Sequence, residues 1–236
     1  MNLSERYYTE SLYPLQDGVM KVVQELKLPF YLTGGTALSR HYFNHRYSDD
    51  LDLFVNNDSA YDEHVARIFA ALEMSQRRAD LRIRYPSIQK SEYFTTFVVS
   101  TPDEVVHLKI DLINDVAPHY GDIEFNPTLG RIDSRQNILS NKISALTRFE
   151  AKDYADVWVI AKHLSFSWDK VIEEVRTKEA GVDCILLYDL MRSFPLDVLP
   201  AIKWSMEIDA KKFRDDLYQL AEDMLFMRSN SLLLNP

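Results

Sequence analysis

Between Tyr47 and Val55 the chain reads YSDDLDLFV, an alternation that puts Leu51, Leu53 and Val55 on one face of an extended strand and Asp50, Asp52 and Phe54 on the other. The aspartates need a reason, because this residue disfavours strands and two carboxylates a pleat apart repel each other unless a cation lies between them. Magnesium, with manganese as its substitute, suits such a pair, since it takes carboxylate oxygens and keeps its other positions for water and substrate phosphates. Asp49 points to the opposite face and stays outside the ligand set. Taken alone, the pattern also describes a solvated edge strand.

The segment before this strand narrows the choice. The chain has six glycines, and two of them are adjacent, Gly34-Gly35. LPFYLT before the pair reads as a short buried strand, and TALSRHYF after it as a helix with Leu38 and Tyr42 on one side. A strand, Gly-Gly, helix turn has no Cβ to obstruct a ligand and presents unpaired N–H groups with a partial positive charge, which suits an anion such as a triphosphate. A Gly-Gly pair by itself is also simply a tight turn. A third carboxylate comes from EVVHLKIDLIND, where Val106, Leu108 and Ile110 face one way and His107, Lys109 and Asp111 the other. Three such acids around two metal ions can activate an attacking oxygen and stabilise the leaving one in phosphoryl transfer.

A second constellation lies further on. ILSNKISALTRF puts Leu139, Ile143 and Leu146 on a core face and Lys142 at its flank, long enough to reach a phosphate. AKDYADVWVIAKHL aligns Tyr154, Val157, Trp158 and Ala161 at helical spacing, with Asp153 and Asp156 on the adjoining side. Alone, these charged residues describe a helix's polar rim.

LTGGTALSRHYFNHRYSDDLDLF and KISALTRFEAKDYADV, in this order, resemble the two motifs of the AbiEii/AbiGii toxin-like branch of the DNA polymerase beta-type nucleotidyltransferase superfamily. The resemblance implies a nucleotidyltransferase fold, with a small mixed sheet in an α/β (α+β) domain over residues 1–135 and a helical bundle over 136–236 that closes the active-site cleft. It implies that Asp50, Asp52 and Asp111 bind magnesium, and that Gly34 and Gly35 hold the phosphates of a nucleoside triphosphate. Thr36 and Arg46 stand beside them as substrate contacts. Lys142 would reach the phosphates, and Asp153 or Asp156 would orient it or act near the attacking hydroxyl, with the role of Asp156 left open. Several members of the branch add nucleotides to RNA ends or otherwise use a nucleoside triphosphate, and they are paired with an antitoxin protein. A toxin that moves a nucleotide onto RNA is therefore expected here. The alternatives are transfer to a protein or small molecule, and a regulator that binds nucleotide without catalysis.

Composition sets the outer limits. With 236 residues, 46% of them apolar, the chain can bury a core, and no run approaches the roughly 20 apolar residues that span a bilayer. Together with an N-terminus lacking a basic and then apolar leader, this predicts a soluble cytoplasmic protein with no membrane contact. The net charge of -9 argues against a whole-surface affinity for nucleic acid and leaves room for a local basic groove. The dense basic segment is RRADLRIR, with Arg77, Arg78, Arg82 and Arg84, which reads as a solvated strand face or an RNA-binding edge.

Other features carry less. Cys184 among aliphatic neighbours reads as a buried, inert thiol. His41 and His45 have the spacing of a metal pair without the acidic third ligand of a zinc protease, and read as polar-face residues. Arg40 and Arg46 read as surface arginines or phosphate contacts. Helices are predicted near 10–26, 61–75, 137–149, 152–164, 169–180, 183–193 and 209–228, and LRIRY, EYFTTFVVS and EVVHLKIDLI as an antiparallel meander.

Overall fold

The computed structural model describes residues 3–233. The chain forms two compact units, the first made of Met1–Tyr42, Tyr47–Val116 and Asp122–Asp133, the second of Phe43–Arg46, Ala117–Gly121 and Ser134–Pro236. No helix among the described residues is long and apolar enough to cross a membrane.

The first unit opens with α1 (Leu3–Tyr7), a π turn over Tyr8–Leu12 and α2 (Tyr13–Glu25). It continues through β1 (Tyr31–Thr33), α3 (Gly34–Ala37), β2 (Leu51–Asn56), α4 (Tyr61–Arg77), β3 (Arg82–Ile83) and β4 (Gln89–Lys90). It ends with β5 (Phe94–Ser100), β6 (His107–Asp115), β7 (Glu124–Asn126) and β8 (Gly130–Ile132). The strands make one mixed sheet in the order β3-β5-β6-β2-β1-β8-β7, with β4 on β5. β2 runs antiparallel to β1 and parallel to β6, so the two acidic strands are neighbours.

Their patterns explain the arrangement. β2 alternates buried and half-buried residues along its whole length, and β6 buries Leu108, Ile110 and Leu112 between more exposed positions. Tyr61, Val65, Ile68 and Leu72 of α4 are all buried, each aliphatic side chain contributing about 1.5–3 kcal/mol by leaving water. On α2 the buried apolar residues are Leu15, Val19, Met20 and Val23, with Val22 half-covered. The β7–β8 hairpin falls between the predicted meander and the helix predicted near 137–149, where no strand is predicted. Three-residue strands are too short to show an alternation, and β8 owes its place to pairing with β1.

The second unit contains α5 (Arg135–Ala145), α6 (Ala151–His163), α7 (Trp168–Lys178), α8 (Cys184–Arg192) and α9 (Ala210–Leu225). Ser134, Asp183 and Asp209 cap the starts of α5, α8 and α9 by accepting N–H bonds of the first turn. Phe213, Leu217, Leu220 and Met224 are buried along α9, whereas Met227 lies past its end and is exposed. Cys184 opens α8 and is half-buried rather than enclosed. Helix α6 is buried continuously from Asp153 to Ala161, so it has no solvated rim along that stretch.

Candidate active site

In the first unit, the sheet register places Thr33 of β1 opposite Asp52 of β2, Asp52 opposite Asp111 of β6, and Asp111 opposite Thr96 of β5. Cross-strand partners share a face, so these four side chains form one row, with Asp50 entering β2 just ahead of it. The Thr96 hydroxyl donates to Asp111 Oδ1 at 2.5 Å, and Lys109 Nζ donates to Asp111 Oδ2 at 2.6 Å. Burial works against the Lys109 ammonium, but the bond to Asp111 and the pull of Asp111, Asp50 and Asp52 outweigh it and raise its pKa. All three carboxylates therefore act on one cation. At the far end of the row the Thr33 hydroxyl donates to Asp133, a fully buried acid whose N–H bonds Leu32 O at 2.9 Å.

The Gly-Gly turn adjoins this row for a reason the structure makes specific. Gly34 has φ +68°, and a Cβ there would stand 2.4 Å from Asp52 Oδ2. Glycine is needed both for the left-handed backbone and for the carboxylate lying over it. Thr36 is fully buried, its hydroxyl 2.5 Å from the Asp50 carbonyl and 2.9 Å from Ser48 Oγ. That side chain ties the start of α3 to the entry of the acidic strand. Asp49, directed away, accepts a bond from the Tyr8 hydroxyl.

Among the described residues no three His, Cys, Asp or Glu side chains close into a ready-made metal cage. What the face offers is a half-covered set of carboxylates that draws a cation and leaves positions for water and phosphate, the donor set that magnesium prefers. Asp50, Asp52 and Asp111 are oxygen donors of the kind that magnesium takes.

The second constellation lies within the second unit and differs from its sequence reading. Lys142, Asp153 and Asp156 are buried, not a flank and a rim. Lys142 Nζ stands 2.7 Å from Asp153 Oδ1 and 2.7 Å from Asp156 Oδ2. Arg46, expected at the surface or on a phosphate, is also buried and grips Asp156 with two parallel bonds, Nε to Oδ1 and Nη2 to Oδ2, each 2.7 Å. His45, expected on a polar face, is fully buried with Nε2 2.8 Å from Asp156 Oδ1. Burial opposes the charge of Asp156, yet Arg46 and Lys142 hold its carboxyl well below the ordinary value. Burial likewise opposes the Lys142 ammonium, and Asp156 and Asp153 overcome it. His45 has its pKa lowered, chiefly by burial. With Asp156 ionised, the neutral ring donates through Nε2, and its buried Nδ1 has no hydrogen-bond partner.

Remaining candidates fall outside both clusters. Arg40 lies over the Tyr13 ring and pairs with Asp17 at 2.7 Å, while His41 stands 3.2 Å from Glu124. Arg78 pairs with Asp80 and Arg82 with Glu104 on the surface. Residues that local reading passed over are Thr33, Thr96, Asp133 and Lys109 as partners of the acids. Only Lys109 carried a signal, since it shares a strand face with Asp111.

Residues 21–230 match the model of a family described as nucleotidyl transferase AbiEii toxin, type IV TA system. Two solved structures share the fold. One is a candidate nucleotidyltransferase from H. pylori, 19% identical, with a TM-score of 0.61 over 92% of this chain and 96% of that one. The other is JHP933 from Helicobacter pylori, 20% identical, with a TM-score of 0.61 over 92% of this chain and 93% of that one. No curated protein matches the chain by sequence.

Proposed function

The chain belongs to the AbiEii nucleotidyltransferase toxin family, and from that premise we propose that it transfers a nucleotide from a nucleoside triphosphate to an RNA acceptor with magnesium bound on the acidic face. As a member it is a nucleotidyltransferase with a role in a toxin-antitoxin system. Its proposed partners are the triphosphate, RNA and an antitoxin protein.

The observation that carries this reading is the row of Asp52 and Asp111, with Asp50 beside it, acting together on a single ammonium. Carboxylates so placed have a use as a cation site and a cost otherwise. When bound, the divalent ion supplies positive charge to the triphosphate oxygens and acidifies the attacking hydroxyl. The chain's own residues set the geometry. Gly34 keeps the turn low enough for the Asp52 carboxylate to lie over it, and the Gly34-Gly35 backbone at the start of α3 receives the phosphates. In the transfer the acceptor hydroxyl oxygen bonds to the α-phosphorus, its proton leaves to the acidic face, and the bond to the β-phosphate breaks to release pyrophosphate. Lys142 already holds two aspartates, so a phosphate contact for it competes with them.

The test is incubation with each radiolabelled triphosphate, magnesium and total RNA or lysate, for the parent chain and Asp52→Asn. Label in RNA that depends on Asp52 is expected. Label confined to protein or a small molecule would replace the acceptor, and no labelling with any triphosphate would sink the reading.

A further inference from the structure

The sheet face that carries Asp52 and Asp111 continues beyond them. On β6, residues at steps of two from Asp111 are Lys109 and His107, both exposed, and across β5 the register sets Ser100 opposite His107 and Arg82 of β3 opposite Ser100. Arg84 follows two residues on, its N–H on Val98 O and its Nη1 3.4 Å from His107 Nδ1. Lys109, His107, Arg84 and Arg82 therefore share the face of the acids. Lys109, Arg84 and Arg82 are the cations, and with His107 between them they form a basic track from Asp111 to the outermost strand of the sheet. Asp111 to His107 is about 13 Å along the strand, and His107 to Arg82 about 10 Å across two strand spacings.

Three features make this track a binding surface. Arg84 has no carboxylate partner among the described residues, and Arg82 meets only Glu104, at 2.8 Å with both side chains more than half exposed. Such a surface pair contributes little and exchanges readily for a phosphate. At the outer end of the track, Arg82 and Arg84 line a cleft of about 790 Å³ that also takes in Gln76 and Ala79 beside α4 and the half-exposed Tyr85, whose hydroxyl donates to Glu73 of α4. The same cleft is lined by Ser100, completely buried, with a hydroxyl that finds no hydrogen-bond partner in the protein. A chain of net charge -9 repels a polyanion over most of its surface, so an acceptor strand needs a cationic approach to the carboxylates.

We infer that the single-stranded end of an RNA acceptor lies along Arg82, Arg84 and His107 towards Asp111, with its phosphates on the two arginines and a base on the Tyr85 ring. Arginine-lined grooves with an aromatic platform bind single strands without reading sequence. This inference rests on the reading of the chain as a transferase acting on RNA, and it adds where that acceptor binds.

The experiment titrates a short fluorescein-labelled single-stranded oligouridine with the full chain across a range of potassium chloride concentrations, reading anisotropy. Compared are the parent, Arg82→Ala/Arg84→Ala, and the control Lys170→Ala/Arg176→Ala, which removes the same charge from exposed positions of α7. The track variant should bind roughly tenfold or more weakly at low salt, and its slope of log affinity against log salt should flatten by about 1.4, two single-strand phosphate contacts. The control should bind within about twofold of the parent. Equal losses in the two variants, or no binding by the parent, would overturn the track. Labelling of RNA from triphosphate is measured beside it. If the parent labels RNA and the track variant does so with unchanged KM, the track falls and the transferase reading stands. If the parent binds through the track and labels nothing, the transferase reading falls and the binding surface stands.

Discussion

Two clusters of aspartate do opposite things in this protein. On the first unit's sheet, Asp50, Asp52 and Asp111 are half-buried and act together on Lys109, which is itself half-exposed. In the second unit, Asp153 and Asp156 are enclosed with Lys142 and Arg46, with the exposed Arg148 3.5 Å from Asp153 and a neutral imidazole at the side. The first cluster is half-open to solvent and to a cation from it. The second supplies its own and is closed. A family motif can therefore look equally charged in sequence at both places while only one of them keeps its carboxylates in contact with solvent.

The largest effect expected is on the closed cluster. Lys142→Met takes one buried cation from both Asp153 and Asp156, and removing one partner of a buried pair costs about 3–5 kcal/mol. Urea unfolding would measure it. A midpoint unchanged from the parent would mean that the cluster is not internally balanced, and would return Lys142 to the role of a free phosphate contact.

Next comes Asp52→Asn on the open cluster, where loss of a ligand should lower transfer about 100-fold or more, roughly 3 kcal/mol in the barrier. Stability without metal should be equal to the parent's or slightly higher, since one repulsion is gone. Added manganese or magnesium should raise the Tm of the parent and not of the variant. Identical shifts in both would place the ion elsewhere.

A smaller effect separates backbone from ligand. Gly34→Ala should cost about 1–3 kcal/mol, because a left-handed φ and a Cβ against Asp52 are both unfavourable. In an Asp52→Ala background the same change should cost less by about 0.5 kcal/mol or more, the signature of direct contact in a double-mutant cycle. Additive losses would reduce Gly34 to a turn residue.

The smallest effect concerns pH. The folded His45 has a lower pKa than in the unfolded chain, so the unfolded state binds the proton first and stability falls as pH drops below about 6.5 towards the folded value. The slope from one such group is at most about 1.4 kcal/mol per pH unit. His45→Gln should flatten the fall of Tm between neutral pH and mild acid. A slope equal to the parent's would assign it to other groups.

Much of this was visible in local pattern. The alternation in YSDDLDLFV and EVVHLKIDLIND shows which residues of β2 and β6 face the core, and the spacing of Tyr61, Val65, Ile68 and Leu72 shows the inner side of α4. Helices α5 to α9 fall where their periodicity puts them. Less visible was anything that depends on burial from all sides. Asp153 and Asp156 have polar neighbours in sequence and none of solvent in space, because α6 is covered all round. Arg46 and His45 sit next to the acidic strand in sequence but belong to the other unit, paired with a residue more than a hundred positions away.

Sequence by itself determined the chemistry available: two glycines at a strand-to-helix turn, three aspartates on strand faces, and a lysine and two aspartates on successive helices. A period of two or of 3.6 is a local property, set by backbone geometry, and needs no knowledge of the rest of the chain. Tertiary structure alone decided which charges are matched. Strand register set Asp52 beside Asp111 and brought Gly34 under the Asp52 carboxylate, while helix packing closed Arg46 and Lys142 around Asp156. The reason is that electrostatic compensation acts between atoms a few ångström apart whatever their separation along the chain, and that proximity exists only once the chain has folded.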